Sequence, residues 1–235
     1  MFADEVLRAL EKHAHPGDAE FLGRFFKTGE GQYGAGDVFI GVRVPATRLV
    51  AKQFAGASLQ EIETLLESPI HELRLCAVII MTEAFKRADD AERTDLFNLY
   101  LRRTDRINNW DIVDTSCRGI VGGYIQLHPE KTDVLYALAR SKDMWERRIA
   151  MVSTWQFIRS GQLDLTFAVA AMLFGDKHNL IHKAVGWMLR EAGKKNELLL
   201  RAFLAKHKSI MPRTTLRYAI ERFSPEDRAR FLRRE

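Results

Sequence analysis

The sequence predicts an all-α protein built as a stack of helical repeats, and three observations indicate this class. Apolar residues recur at spacings of three and four, as in Leu59, Ile62, Leu65 and Leu66, which is the period of an amphipathic helix. Helix start signals accompany these segments, whereas strand patterns are scarce. Similar segments also recur at a regular distance along the chain, which is typical of stacked repeats.

Capping signals place several of the helix starts. Ser58 precedes the segment that begins at Leu59, and Glu61 completes a capping-box pattern three residues later. Ser224 precedes Pro225, which suits a proline at the first helical position. Four further prolines fall at plausible helix starts, namely Pro45, Pro69, Pro129 and Pro212. Residues 38–40 are the one short strand candidate, so the predicted class is all-α.

The repeat is visible when basic residues followed by small and apolar positions are compared. Arg74 and Arg148 are 74 residues apart, or two steps of 37, and Lys183 follows Arg148 by 35. One step from Arg74 leads to Asp111. A period of about 35–40 residues with two helices per unit indicates an α-solenoid of HEAT type, which curves and aligns equivalent positions along a concave surface. We expect one domain over residues 1–235.

Composition narrows the functional class. The 235 residues carry a net charge of +5 and a pI of about 9.3, and the charge is uneven. Residues 1–140 hold 17 basic and 21 acidic side chains, whereas residues 141–235 hold 19 and 10. This basic second part suggests a polyanion partner. No apolar run approaches a membrane span, and Cys76 and Cys117 lack framework spacing, which predicts reduced core thiols in a cytoplasmic protein.

Trp110 and Asp114 are the most informative pair in the chain. Four residues apart on a helix, an indole and a carboxylate share one face. A buried carboxylate without a partner is costly, so the pair suits a receptor for a cation better than a core contact. In the repeat register Asp114 corresponds to Gly186, beside Trp187. The register therefore predicts that both tryptophans and the carboxylate converge on one groove, where Arg148 and Lys183 would hold phosphates.

A single carboxylate restricts the chemistry that such a groove can perform. It can stabilise an oxocarbenium-like sugar and orient a water, but glycosidases usually need a second acid to protonate the leaving group. The nearest candidate is Asp111, which we expect to point elsewhere on the helix. The requirement disappears when the leaving base already carries a positive charge, as N3- and N7-alkylated purines do.

Other segments imitate functional motifs. The stretch from Gly29 to Gly34 matches G-x-G-x-x-G, but no strand precedes it and more glycine follows, which favours a connecting loop.

The histidines, including His13, His15 and His178, show no metal-ligand spacing, so neither a metal nor a cofactor is predicted. Trp145 and Trp155 are expected to be core or rim aromatics. Ser116 and Ser153 have no evident base partner, and Lys194, Lys195, Lys206 and Lys208 fit a solvated face.

At this point the sequence resembles the AlkD-type DNA alkylation repair glycosylases over nearly its whole length, most strongly over residues 105–195. The N-terminal loop that runs into Gly41-Val42-Arg43-Val44-Pro45 also looks like the family's entry to its first DNA-facing repeats. Three motifs carry the resemblance: Trp110-Asp111-x-Val113-Asp114, Trp145-x-Arg147-Arg148-x-Ala150, and Lys183-Ala184-x-Gly186-Trp187-x-Leu189-Arg190-Glu191.

The resemblance implies a C-shaped stack of HEAT-like repeats with a concave DNA-binding groove. It implies hydrolysis of the N-glycosidic bond of cationic alkylpurines such as 7-methylguanine and 3-methyladenine in duplex DNA. Nothing in the sequence resembles a symmetric interface, so we expect a monomer, located in the bacterial cytosol or nucleoid. The catalytic carboxylate would be Asp114 and the groove tryptophans Trp110 and Trp187. Residues expected to contact DNA are Arg148, Lys183, Arg190, Arg48 and Arg43. The family is thought to act without drawing the base into a tight pocket, which suits a sequence with no apparent pocket-forming loop.

One departure and two alternatives accompany this hypothesis. The family often has a groove-facing tyrosine in its N-terminal helices, where this chain has Phe25 and Phe26. A non-catalytic module that binds DNA structure could use the same scaffold, because fold alone does not fix function. A protein-binding HEAT scaffold is a third hypothesis, which the basic C-terminal part disfavours.

Overall fold

In the computed structural model, the fold of residues 1–233 can be described, and the packing divides into two compact units, residues 1–120 and residues from Val121 onward. The first unit contains α1 (Phe2–Glu11), α2 (Pro16–Phe25), α3 (Val44–Gln53), α4 (Leu59–Leu66), α5 (His71–Arg87), α6 (Asp90–Arg102) and α7 (Trp110–Ser116). A 3-10 turn, Thr104–Arg106, precedes α7, and a π-helical turn, Arg118–Gly122, follows it. The prediction of a single domain stays a prediction.

The second unit is also helical. It contains α8 (Gly123–Leu127), α9 (Asp133–Ala139), α10 (Met144–Ser153), α11 (Trp155–Arg159), α12 (Asp164–Met172), α13 (Asn179–Lys195), α14 (Glu197–His207), α15 (Arg213–Ala219) and α16 (Pro225–Leu232). Over residues 1–233 there is no strand, and the strand candidate at residues 38–40 forms an isolated bridge between Val38 and Ile70. The all-α prediction is confirmed.

The predicted helix starts agree with the structure. Ser58 and Glu61 form a complete capping box at α4, and Ser224 accepts a hydrogen bond from the Asp227 amide at the start of α16. Pro45 is the second residue of α3. The predicted repeat gives equivalent positions to Arg74, Asp111, Arg148 and Lys183, and each of them lies in the first two turns of its helix, α5, α7, α10 and α13. Local signals of this kind act within one turn of helix, so the sequence carries them directly.

One buried helix organises each unit. Helix α5 is buried at every position from His71 to Met81 and packs against α3, α4, α6 and α7. Helix α13 packs against α10, α12, α14 and α15. Its Gly186 allows α15 to approach closely, because a Cβ there would lie 2.4 Å from the Tyr218 Cβ and 2.6 Å from the Thr215 carbonyl oxygen. Helices that are covered on several sides hold their neighbours at fixed positions.

The glycine-rich stretch lies in the loop between α2 and α3, as predicted. Helix α2 precedes it, and Gly31, Gly36 and Gly41 adopt positive φ angles that other residues rarely adopt. At Gly41 a Cβ would lie 2.2 Å from the His15 carbonyl oxygen. The loop therefore passes tightly against the start of α2, and it supplies part of the site described next.

Candidate active site

Helix α7 begins at an asparagine cap that is tied to a distant loop. The Asn109 side-chain oxygen accepts a hydrogen bond of 2.9 Å from the Trp110 amide, which satisfies one of the first amides of the helix. Its Nδ2 donates to Asp37 Oδ2 at 3.1 Å, 72 residues away in sequence. Because both ends of this side chain are engaged, the start of α7 is fixed, and with it the positions of Trp110 and Asp114.

Trp110 and Asp114 line the same cavity within the first unit, as their helical spacing predicts. The cavity has a volume of about 530 Å³ and lies between α2, the following loop, the start of α3, α5 and α7. Its aromatic lining consists of Phe21, Phe25, Phe26, Phe39 and Trp110, and its polar lining of Arg43, His71, Glu72, Asp111, Asp114, Thr115 and Arg118. A concave, mostly apolar site with a few polar groups is the usual form of a small-molecule site.

The aromatic rings of this cavity are mutually packed. Phe26 stacks on Trp110 with ring centroids 5.1 Å apart and an angle of 20°, and Phe25 meets Trp110 edge to face at 5.9 Å. Phe21 stacks on Phe25 at 5.9 Å. Phe26 is buried, whereas Phe21 and Phe25 are 45% and 52% exposed. Phe25 and Phe26 therefore have different roles: Phe26 supports the indole, and Phe25 presents its ring to solvent.

Three carboxylates line the cavity in the described part of the chain, and they differ in burial. Glu72 is buried and accepts hydrogen bonds from the amides of Ile40, Gly41 and Val42 at 2.9–3.2 Å. Asp111 is buried and accepts from the Ile112 amide at 2.8 Å, while its other oxygen lies 2.8 Å from His71 Nε2. Asp114 is the partly exposed carboxylate.

The position of Asp111 corrects the sequence-based expectation that it points away from Asp114. Both line the cavity, because residues three and four apart share a helix face and α7 presents Asp111, Asp114 and Thr115 together. Asp111 is nevertheless engaged with His71, so its carboxylate is committed to an internal partner.

A buried charge cluster forms part of the cavity wall and extends behind it. His71 Nδ1 is 3.1 Å from Asp37 Oδ2 and its Nε2 is 2.8 Å from Asp111, while Arg74 donates to Asp37 Oδ1 at 2.5 Å. Burial alone would lower the pKa of His71, but the two aspartates outweigh it and raise that pKa to about 9. Burial alone would raise the pKa of Asp37, but the hydrogen bond from His71, the charge of Arg74 and the hydrogen bond from Asn109 together hold that pKa below its usual value. His71 is therefore an imidazolium at neutral pH, with both ring nitrogens engaged.

The raised pKa of His71 predicts that stability declines in mild alkali. The folded protein binds the imidazolium proton of His71 more tightly than the unfolded chain does. The stabilisation that His71 contributes is therefore complete below about pH 6.5 and is lost as the pH rises toward 9. We expect the free energy of unfolding in urea to fall by about 2 kcal/mol between pH 6.5 and 8.5.

The matched variant for this measurement is His71→Gln, which keeps hydrogen-bonding capacity without a titrating group. Over the same interval the pH dependence should largely disappear in that variant. Burial raises the pKa of the Cys76 thiol to about 12, so this group adds a small decrease at the upper end of the window, where the thiol of the unfolded chain begins to ionise, and that decrease is the same in wild type and variant. An equal slope in wild type and variant would contradict the assignment.

In the second unit, the predicted site residues have the following positions. Trp187 is half-buried on α13, and its ring lies 6.3 Å from that of Trp155, while Trp145 is buried in the core. Arg148 is buried and donates a hydrogen bond of 2.7 Å to the Leu180 carbonyl oxygen, which joins α10 to α13. Lys183 is half-buried on α13. The predicted convergence of these residues with those of the first unit stays a prediction.

The predicted DNA-contacting arginines are partly engaged with neighbouring side chains. Arg43 pairs with Asp18 at 2.5 Å and lies 5.0 Å from the Phe21 ring centre, whereas Arg48 is exposed on α3. Arg190 pairs with Glu191 and Glu221. Lys194 pairs with Glu191 at 2.5 Å, and Lys195 and Lys206 are exposed. Their proposed contacts with DNA are not tested by these positions.

Sequence reasoning missed several residues that shape the site. Asp37, His71 and Glu72 carry no motif, since their contacts join segments that are far apart in the chain. Two signals were available: Asn109 occupies a helix-cap position before Trp110, and Phe21 and Phe25 have the i, i+4 spacing of one helix face.

Comparison with known proteins decides the family. A family model described as "DNA alkylation repair enzyme" matches residues 6–223. The chain belongs to the DNA alkylation repair enzyme family. A solved structure described as a predicted DNA alkylation repair enzyme from Enterococcus faecalis is similar to this family member, with 19% identity and a TM-score of 0.73 over 91% of this chain and 98% of that chain. No curated protein matches the sequence.

The family assignment confirms the predicted resemblance and the predicted all-α solenoid class. The protein therefore belongs to the repair of alkylated DNA. The roles of its individual site residues stay predictions. Across residues 1–233, no helix combines the length and apolar character needed to cross a membrane.

Proposed function

We propose that the protein is a monofunctional DNA glycosylase that hydrolyses the N-glycosidic bond of cationic N3- and N7-alkylated purines in duplex DNA. The observation that carries the proposal is Asp114, a partly exposed carboxylate on the wall of an aromatic cavity. Family membership in DNA alkylation repair supplies the polymer and the class of damage.

The arrangement of acids favours a leaving base that is already charged. Glu72 and Asp111 are engaged by backbone amides and by His71, and both ring nitrogens of His71 are engaged by aspartates. None of these three groups is placed to protonate a neutral leaving purine. An alkylated purine needs no such proton, because cleavage of the bond between C1′ and the ring nitrogen returns an electron pair to a ring that carries a positive charge.

The proposed mechanism assigns two tasks to Asp114. As the glycosidic bond lengthens, the carboxylate stabilises the positive charge that develops on the sugar. It then orients a water for attack on C1′ and accepts the proton which that water loses, so that the products are a neutral purine and an abasic site. Trp110 contributes an aromatic face to the cationic nucleotide.

The residues of the second unit keep the proposed roles that the repeat register and the family resemblance gave them. Trp187 would provide a second aromatic face, and Arg148, Lys183 and Arg190 would hold phosphates, as would Arg43 and Arg48 in the first unit. The protein is proposed to act as a monomer in the cytosol or nucleoid.

The proposal is tested by incubating the protein with duplex DNA that contains 7-methylguanine and measuring the released purine by chromatography. We expect release with wild-type protein and none from an undamaged duplex. Binding without release would favour the alternative, a non-catalytic module that recognises DNA structure. A DNA affinity that does not change with salt would oppose both, because phosphate contacts give a steep decrease of affinity with salt.

A further inference from the structure

Helices α13 and α15 of the second unit lie side by side and run parallel. Three contacts cross the line along which they pack: His182 with Thr215, Gly186 with Tyr218, and Arg190 with Glu221. The first of these is a hydrogen bond of 3.0 Å from the Thr215 hydroxyl to the His182 carbonyl oxygen. Because the residue numbers rise together on both helices, the two helices point in the same direction.

A strip of partly or fully exposed side chains runs along each helix beside this line. The strip on α13 consists of Lys183, Trp187, Arg190 and Lys194, and the strip on α15 consists of Thr214, Arg217, Tyr218 and Glu221. Spacings of three and four place the members of each strip on one side of their helix. The ion pair between Arg190 and Glu221 joins the two strips, so both open to the same side. We call these eight residues the α13–α15 face.

Two cations of this face are already paired with carboxylates. Arg190 pairs with both Glu191 and Glu221, and Lys194 pairs with Glu191 at 2.5 Å. A phosphate that approached Arg190 would also approach these two carboxylates, and like charges repel each other. The family resemblance assigned a phosphate to Arg190, but its surroundings favour a contact that holds α13 and α15 together.

Arg217 and Lys183 are in a different situation. Arg217 is exposed and Lys183 is half-buried, and across residues 1–233 neither side chain makes a hydrogen bond or an ion pair. The neighbouring Arg213 differs, because it donates to the Leu232 carbonyl oxygen at 2.8 Å. The face therefore presents two uncommitted cations, in a part of the chain where residues 141–235 hold 19 basic and 10 acidic side chains.

We propose that Arg217 on α15 binds a phosphate of the DNA backbone beside Lys183 on α13, and that Arg190 holds the two helices together instead of binding phosphate. The inference rests on the DNA binding that the proposed function requires, and it deepens that function by adding α15 to the DNA-contacting surface. An uncommitted guanidinium suits this task, because its donors match two phosphate oxygens at once.

The test measures the affinity of the protein for an undamaged duplex at several salt concentrations. In Arg217→Gln the slope of log affinity against log salt should become shallower by about 0.9, and affinity at about 0.1 M salt should fall about tenfold, because one phosphate contact is lost. Arg190→Gln should keep the wild-type slope. Circular dichroism confirms that both variants are folded.

Lys206→Gln is the matched control, since it removes one exposed positive charge from α14. Helix α14 packs against α12 through Phe203 and Phe167 and against α16 through Arg201 and Asp227, so Lys206 lies outside the α13–α15 face. Its slope and affinity should resemble those of wild type.

Three results would overturn the inference. Equal losses in Arg217→Gln and Lys206→Gln would show an effect of overall charge. A shallower slope in Arg190→Gln, with an unchanged slope in Arg217→Gln, would return the phosphate to Arg190. A wild-type affinity that does not change with salt would exclude phosphate contacts altogether.

Base release from a 7-methylguanine duplex, measured in parallel at saturating protein, separates this inference from the proposed function. Release by wild type, with unchanged DNA affinity in Arg217→Gln, would overturn the inference and leave the glycosylase intact. A shallower slope in Arg217→Gln, with no release by wild type, would support the phosphate contact and remove the glycosylase. If both hold, Arg217→Gln should bind more weakly but release the purine at the wild-type rate once saturated, because Arg217 contributes to binding alone.

Discussion

Asp114→Asn is expected to lower the rate of 7-methylguanine release by about 10²–10³-fold, because asparagine keeps the shape of the side chain but neither stabilises a developing sugar cation nor accepts a proton. Affinity for a damaged duplex should change little, since the loss concerns an interaction that is strongest in the transition state. The measurement is single-turnover release with enzyme in excess, alongside a binding titration on the same duplex.

Asp95→Asn is the matched control for this prediction. Asp95 is an exposed aspartate on α6, outside the cavity lining, so the same chemical change there should leave the rate unaltered. If Asp114→Asn released the purine as fast as wild type, the catalytic assignment would be wrong. If both aspartate variants lost DNA binding equally, the effect would be one of overall charge.

Asp37→Asn is expected to cause the largest loss of stability of any single change considered for the site. The Asp37 side chain is 6% exposed, and its two oxygens meet Arg74 at 2.5 Å and both His71 and Asn109 at 3.1 Å. Removal of the charge leaves Arg74 without its anionic partner and His71 with Asp111 alone. Breaking a buried ion pair from one side typically costs about 3–5 kcal/mol, and urea unfolding measures it directly.

Asp37→Asn should also affect catalysis, which would distinguish this cluster from one that only stabilises the fold. Because Asp37 also holds the Asn109 cap, base release should fall even under conditions in which the variant remains folded. Asp18→Asn is the control: it removes an aspartate whose partner, Arg43, is largely solvent-exposed, and the urea midpoint should not move measurably. A similar shift in both variants would contradict the importance of the buried cluster.

The parts of the site that sequence analysis predicted depend on contacts within a few residues. The spacing of Trp110 and Asp114 predicts one helix face, and the structure places both on α7 and both at the cavity. Helical periodicity and capping residues indicated the all-α class for the same reason, since each signal acts within one turn. The stretch from Gly29 to Gly34 was correctly interpreted as a loop because no strand precedes it.

The expectations that were incomplete concern contacts between distant segments. Asp111 was expected to point away from Asp114, yet it lines the same cavity and binds His71, 40 residues earlier in the chain. The cavity was not foreseen, because its walls come from α2, α3, α5 and α7 together with one loop. No periodicity or motif encodes which of these walls meet.

The sequence by itself determined the helical class, the family and the pairing of an indole with a carboxylate on one helix. The tertiary structure alone decided that Asp114 is the partly exposed acid of the cavity, that Glu72 and Asp111 are hydrogen-bonded to neighbouring groups, and that His71 in the cavity wall has a raised pKa. The physical reason is the range of the interactions. Helical spacing follows from hydrogen bonds four residues apart, whereas burial and the pKa of a side chain depend on whichever segments pack around it.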